Sequence, residues 1–387
     1  MQPLLSIIML NYNGAKIMDV MREAVESVKV AGYDSYEFIL VDNGSTDGSY
    51  EAISKYVESA GLVRTTVVRS ERNLGFTGGN NLGFRARSKG SEYTLLLNND
   101  AVLLPGSLGP LMALMRKNLD VGALNGAILD YGSGKLVGVP SFVDEMCGVV
   151  APMGADFSEG AYRAVEETYP MGAAALLRNE AVLEANRGRD QVFDEELFIY
   201  FDDTTLGLKL WNSGWRVEFH PVPVAKHLGG SSSPSALGAY HMIRGRAALC
   251  EAAPPRYRRL AGIYLRRNAA WASRTFGGSR LDFRRALEEG RNAGRALRDR
   301  YRPDFYRAPV VRLSTLEAIR KALISAGGVG RRKSRELLEL ISGASAERRS
   351  GLLIGGPSGR NTAAQRDRRA DNGPASARSL EGERRLV

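Results

Sequence analysis

The sequence predicts an α/β protein built on a doubly wound, mostly parallel sheet. Three observations carry that expectation. Short apolar runs alternate with longer helix-like stretches through the first hundred residues, several of these runs lead into an Asn or Asp, and 387 residues at 44% hydrophobic suffice to bury a substantial core. Ligands of such sheets gather at the carboxyl ends of the strands.

The first strand is expected over residues 4–10, and the next three over 37–41, 65–69 and 93–97, where apolar runs are bounded by turn-forming residues. Helices are expected between them over 15–30, 50–60 and 80–88. Asn11, Asp42, Asn73 and Asp100 then all fall at strand ends and share one crevice. Beyond Asp100 the pattern predicts a helix over 108–118, a strand over 121–129, a glycine-rich stretch from 132 to 160 serving as acceptor-side loops, a strand over 171–177, helices over 180–185 and 204–212, and a strand over 215–224. From Ser235 the texture is helical and arginine-rich, and from about Gly343 large apolar residues become scarce. The expected organisation is a catalytic domain over 1–234, a basic helical region over 235–342 and a disordered tail over 343–387.

The net charge of +10 conceals a division. Residues 1–230 hold 20 Lys+Arg against 29 Asp+Glu, whereas residues 231–387 hold 33 against 14. An acidic half that binds an anionic ligand needs a cation to do so; a basic half suits an anionic surface. The two cysteines, Cys147 and Cys250, lack C-x-x-C spacing and read as packing residues of a reducing compartment. Residues 1–10 have no basic flank and read as a buried strand rather than a signal peptide, and no apolar run approaches the roughly 20 residues of a membrane span. The expected location is cytoplasmic, at most peripheral on the inner face of the membrane.

Six segments bear on the chemistry. The loop Leu10-Asn11-Tyr12-Asn13-Gly14 lacks the G-x-G-x-x-G of a dinucleotide site, which argues against a dehydrogenase, and Val41-Asp42-Asn43-Gly44-Ser45 ends a strand with a carboxylate that serves either as a turn residue or as an acceptor for a base N–H or ribose hydroxyl. Arg72-Asn73-Leu74-Gly75-Phe76-Thr77-Gly78-Gly79-Asn80 offers glycines for close approach and a helix N-terminus for phosphate or sugar oxygens. Asn98-Asn99-Asp100 ends a buried strand with a carboxylate able to hold Mg²⁺ or Mn²⁺ together with diphosphate oxygens. Asp202 and Asp203 follow an aromatic run and open a helix; adjacent carboxylates beside apolar rings push one pKa upward, which suits a general base. His227, before Gly229-Gly230-Ser231-Ser232, is a candidate metal ligand.

Taken in order, these residues resemble an inverting family 2 glycosyltransferase of the GT-A fold, most like its bacterial rhamnosyltransferase-like branch, over roughly residues 4–250. The resemblance implies Asp203 as catalytic base with Asp202 beside it, and Asp100 and His227 on the metal. It implies Asn11, Asn13, Asp42, Asn73, Gly75, Gly79, Asn80 and Asn98 along the nucleotide-sugar; Arg244, on the helix after the site, is a further candidate for the diphosphate. Asn98 stands where the family has an acid, Asp202 where it has Glu, and Thr205 where it often has Asp. The Q-x-x-R-W signature of processive synthases is absent, which implies one sugar per encounter. Expected partners are a nucleotide-diphosphate sugar and a glycan or lipid-linked acceptor; nucleic acid is not expected. Alternative readings are a sugar nucleotidyltransferase or a non-catalytic basic protein.

In the basic half, Tyr257, Tyr264 and Trp271 recur every seven residues beside Arg259, Arg266, Arg267 and Arg274, with no acidic residue between Glu251 and Asp282. That pattern suits either a helix lying in an anionic headgroup layer or an aromatic stripe packed on the core.

Overall fold

A computed structural model describes residues 2–158, 160–229, 235–324, 326–342 and 349–356, and all of these fall in one compact unit. Its centre is a parallel array in the order β3-β2-β1-β4, formed by β1 (Leu4–Asn11), β2 (Tyr36–Asp42), β3 (Thr65–Arg69) and β4 (Ser91–Asn98). The connecting helices are α1 (Met18–Val30), α2 (Ser49–Ser59) and α3 (Gly75–Ala86), the last beginning five residues earlier than its apolar pattern indicates.

The alternation of side chains along the strands assigns the two faces. Leu5, Ile7 and Met9 of β1 pack with Met21, Val25 and Val28 of α1 and with α4 (Leu108–Lys117), while Ile8 joins Ile39, Val41 and Phe84 on the other face. Both faces are covered, so the strands read as nearly continuous apolar runs.

Past β4 the sheet becomes mixed. A short strand β5 (Ala101–Leu103) follows Asp100, and β6 (Val121–Asp130) leads into the glycine-rich stretch. That stretch forms β7 (Leu136–Val137), β8 (Phe142–Val143), β9 (Val149–Val150) and β10 (Met153–Ala155), followed by β11 (Val165–Glu166). Strand β12 (Ala174–Arg178) runs antiparallel between β4 and β6 and leads into α5 (Asn179–Ala185). Helix α6 (Asp202–Asn212) then leads to β13 (Arg216–His227), which runs parallel to β6 and antiparallel to β5.

The C-terminal helices α7 (Ala236–Ala252), α8 (Arg258–Thr275), α9 (Phe283–Tyr301) and α10 (Thr315–Leu323) extend the Ile8–Phe84 face in one continuous apolar cluster, and α11 (Ala326–Ile341) follows. The aromatic stripe of α8 does not stay together. Its buried line is Ala261, Leu265, Ala269 and Ala272; Tyr257 donates to the Leu313 carbonyl at 3.2 Å, Tyr264 lies beneath the Arg246 guanidinium at 4.3 Å, and Trp271 alone of the three is exposed. Two of the three rings therefore pack inward, because small residues at 261, 269 and 272 let neighbouring elements close over them.

Part of the stretch expected to be disordered is folded. Arg349–Leu352 form a short helix, α12, and β15 (Leu353–Ile354) pairs with β14 (Val310–Val311). The remainder of that expectation, 343–348 and 357–387, lies outside the described residues, as do Gly230, Ser231 and Ser232 after His227.

Candidate active site

The ends of β1 and β2 are tied to each other. Asn11 Nδ2 donates to Asp42 Oδ1 at 2.9 Å and to Ser49 Oγ at 3.1 Å, while Asn13 accepts from the Thr46 amide at 2.9 Å and its own amide donates to Ser45 Oγ at 2.9 Å. Asp42 is fully buried, its second oxygen taking the Ser45 amide at 3.1 Å and lying 3.5 Å from Arg69 Nε. Asn11, Asn13 and Asp42, expected at the nucleotide, brace these loops, with half-exposed Arg69 beside the Asp42 carboxylate.

The glycine-rich segment likewise serves packing. Asn73 accepts from the Gly75 amide at 2.8 Å and from Asn43 Nδ2 at 3.0 Å, and Asn80 Nδ2 donates back to the Phe76 carbonyl at 2.9 Å. A Cβ on Gly79 would lie 2.4 Å from Leu10 Cδ1, so its close approach is to strand β1 rather than to a ligand. Gly75, at φ +75°, abuts the carbonyl of Phe198. This segment holds the loop that carries the Asp pair.

That loop is strained. Phe198, Tyr200 and Phe201 all have φ between 63° and 66°, a region that bulky residues enter only when their surroundings force them to. On one side the Thr77 amide donates to the Phe198 carbonyl at 3.1 Å; on the other Arg244 donates to the carbonyls of Leu197, at 2.7 Å, and Glu196, and pairs with Glu289 at 3.5 Å. Arg244, expected on the diphosphate, is thus committed to shaping this loop: its position on α7 faces the loop's carbonyls.

Asp202 and Asp203 follow at the N-terminus of α6. Burial pushes the Asp202 carboxyl well above the usual range, and the charge of Asp203 adds to the rise. Burial also raises Asp203, to about 6, against hydrogen bonds from the Thr204 amide (2.6 Å) and hydroxyl (3.3 Å) that favour its ionised form. Of the two, Asp203 is the carboxylate that its hydrogen bonds favour in the ionised form.

Asp203 opens into a cavity of about 290 Å³ that also takes in Asp202, Asn98 and His227. Strand β13 ends with His227 in register with Ala101, which sets its Nε2 3.0 Å from Asp100 Oδ1 and 3.4 Å from Asn98 Nδ2. Antiparallel β12 brings Gly172 and Ala173 to the end of β4, where the Asn98 amide donates to the Ala173 carbonyl at 3.0 Å. The bracing cluster reaches the end of β4 through Asn99, whose Nδ2 lies 3.4 Å from Asn11 Oδ1 and which follows cavity-lining Asn98.

An imidazole nitrogen and a carboxylate oxygen side by side at the cavity edge form a donor set that fits a divalent cation, with other coordination positions left to diphosphate oxygens and water. Among the described residues no group of three or more His, Cys, Asp or Glu side chains gathers to make a closed metal cage.

Residues 6–184 match the family described as Glycosyl transferase family 2. The chain carries a family 2 glycosyltransferase domain of the GT-A fold. An uncharacterized glycosyltransferase of Haemophilus influenzae is 26% identical over 38% of this chain, and the match spans only 40% of that protein's length. The N-acetylglucosaminyl-diphospho-decaprenol L-rhamnosyltransferase of Mycobacterium tuberculosis is 27% identical over 56% of this chain and 75% of its own. In fold the chain is similar to a mannosyltransferase from Pyrobaculum calidifontis, solved in complex with GDP-Man and Mn²⁺, with a TM-score of 0.50, 19% identity, and coverage of 86% of this chain and 88% of that one.

Several residues lining this cavity are not among those that the motifs single out. Phe76, Tyr169, Met171, Tyr200 and Met242 make its walls apolar. Tyr169 and Met171 flank Pro170 just before Gly172, a turn signal that does mark a chain reversal; the direction in which their side chains point follows only from β12 being antiparallel.

Proposed function

We propose that the chain transfers a single sugar from a nucleotide-diphosphate donor to an acceptor hydroxyl with inversion at the anomeric carbon. The observation that carries this reading is the placement of Asp203, with its raised pKa, and the His227–Asp100 pair in and at the edge of one small cavity. Asp203 accepts the acceptor's proton as its oxygen forms a bond to the anomeric carbon, and the bond to the diphosphate breaks on the opposite face, the leaving group keeping the electron pair. Burial and the neighbouring charge of Asp203 raise the Asp202 carboxyl, which makes Asp203 the better base of the two. Asp100 and His227 would hold Mg²⁺ or Mn²⁺, which when bound supplies positive charge for the leaving diphosphate. Asn98 lies where it can orient the donor.

The relative's printed name supports L-rhamnose as donor sugar and a lipid-diphosphate-linked glycan as acceptor. Support for an acceptor with an apolar portion also comes from Val149, Tyr200 and Met242, three large apolar residues that line the cavity and remain exposed at its mouth. Asp203→Asn keeps the shape of the side chain and removes its basicity, so turnover is expected to fall about 10²-fold or more with donor binding retained. Turnover within a few-fold of the unaltered enzyme, measured as nucleoside diphosphate release, rules out Asp203 as the base.

A further inference from the structure

Helix α10 is built inside out. Its buried face is Ala318, Lys321 and Ala322, with Lys321 paired to buried Asp144, while Leu316, Leu323 and Ile324 are 59%, 53% and 72% exposed and Ile319 is exposed beside them. At 100° per residue these four fall on one side of the helix, with exposed Arg320 among them. The helix end touches α8 through a cavity of about 450 Å³ lined by Arg267, Asn268, Trp271, Arg274, Lys321 and Ile324. Trp271 is half exposed there, and Arg266, Arg267 and Arg274 are exposed on the same helix.

We propose that the outer face of α10, with Trp271 and the arginines of α8, docks this protein on an anionic lipid surface. Apolar side chains of this size left in water cost free energy that burial in the acyl boundary recovers, and the cationic rim supplies attraction to lipid phosphates. No Asp or Glu occurs from residue 252 to 281, and the one acid of α10, Glu317, is turned inward against Lys333 at 3.2 Å and against Arg332. The rim therefore carries no compensating negative charge of its own.

Two other occupants fit less well. A second copy of the chain meeting this face across a two-fold axis would set arginines against arginines. The chain's own residues 357–387 offer Leu380, Leu386 and Val387 as their only large apolar side chains and carry seven Arg against four Asp and Glu, so they match neither the apolar stripe nor the charge. Among the described residues no helix is long and apolar enough to cross a membrane, so the attachment is by this face lying on the surface.

The test uses the full chain and vesicles of phosphatidylcholine alone or mixed in equal parts with phosphatidylglycerol, at about 0.15 M salt. Sedimentation with the mixed vesicles but not with phosphatidylcholine is expected, together with a blue shift of tryptophan emission that disappears in Trp271→Phe, since Trp211 and Trp215 are buried. Ile319→Glu with Leu323→Glu should weaken vesicle binding about tenfold or more, with the melting temperature held because both side chains already face water. Absence of wild-type binding to anionic vesicles overturns the proposal, as does a double variant that binds as well as wild type. A concentration-dependent dimer abolished by the double variant, without vesicle binding, would assign the face to a second copy instead.

Discussion

Asp203 illustrates how much of the site depends on a single side chain's surroundings. Its carboxyl sits at about 6 in the folded protein against an ordinary value of 3.8, so the native state holds its proton more tightly than the unfolded chain does. Stability on this account is undiminished below about pH 4, falls as pH rises through the interval to 6, and stays reduced above it by up to about 3 kcal/mol. Asp203→Asn should therefore raise Tm at pH 7.5 relative to wild type and leave it nearly unchanged near pH 4, while wild-type turnover declines below about pH 6; melting curves and a pH–rate profile check both. The metal assignment is tested separately. Asp100→Ala should strongly weaken Mn²⁺-dependent binding of nucleoside diphosphate, and His227→Ala should weaken it less, since a carboxylate neutralises charge and an imidazole does not; calorimetry with and without EDTA reads the difference. At this scale the sequence was informative about polar identity and weak on role. Asp42 and Gly79 stand out as motif residues, yet burial and register turn them towards the protein interior, and half-buried Asn73 spends its carboxamide oxygen on Asn43 and Gly75, which no local pattern reveals.

Elements explain why the Asp pair stays where it is. The segment before it is held in left-handed geometry between the first turn of α3 and the flank of α7, where a Cβ on Gly245 would lie 2.6 Å from the Tyr200 carbonyl and 3.0 Å from the Phe201 ring. Gly245→Ala should therefore displace the loop, lowering turnover by about tenfold or more and stability by about 1–3 kcal/mol, whereas KM for the donor changes little; kinetics and urea unfolding separate these effects. The strands were legible nearly to the residue in the first half, where apolar runs are short and bounded by turn residues: the third matches its expected span, the first runs one residue longer, and the second and fourth extend one or two residues further at each end. The direction of β12 was not legible, because an apolar run buried on both faces reads the same in either direction. The earlier start of α3 escaped notice for a different reason, its first turn being rich in glycine.

Across the whole molecule, the composition boundary near residue 235 is not a boundary of packing. One apolar cluster runs from Ile8 and Phe84 through Phe201 and Trp211 to Phe283, Leu313 and Val329. Heat or urea should accordingly unfold residues 2–356 in a single transition, with near- and far-ultraviolet circular dichroism changing together; two separated transitions would mean that the C-terminal helices fold as an independent body. Charge divides the sequence where hydrophobic contact does not, because composition registers what faces solvent. Asp194 shows what the shared interior entails. Its buried carboxylate takes Lys209 at 2.6 Å from α6, Tyr301 at 2.8 Å and Arg300 at 3.1 Å from α9. In a chimera spliced near residue 235 with the helices of a distant relative, that carboxylate would lose two of its three partners while remaining buried beside Lys209. Genetic exchange at this otherwise convenient junction is thus penalised, and lineages carrying this network should inherit α9 and the Asp194 loop as a single heritable block.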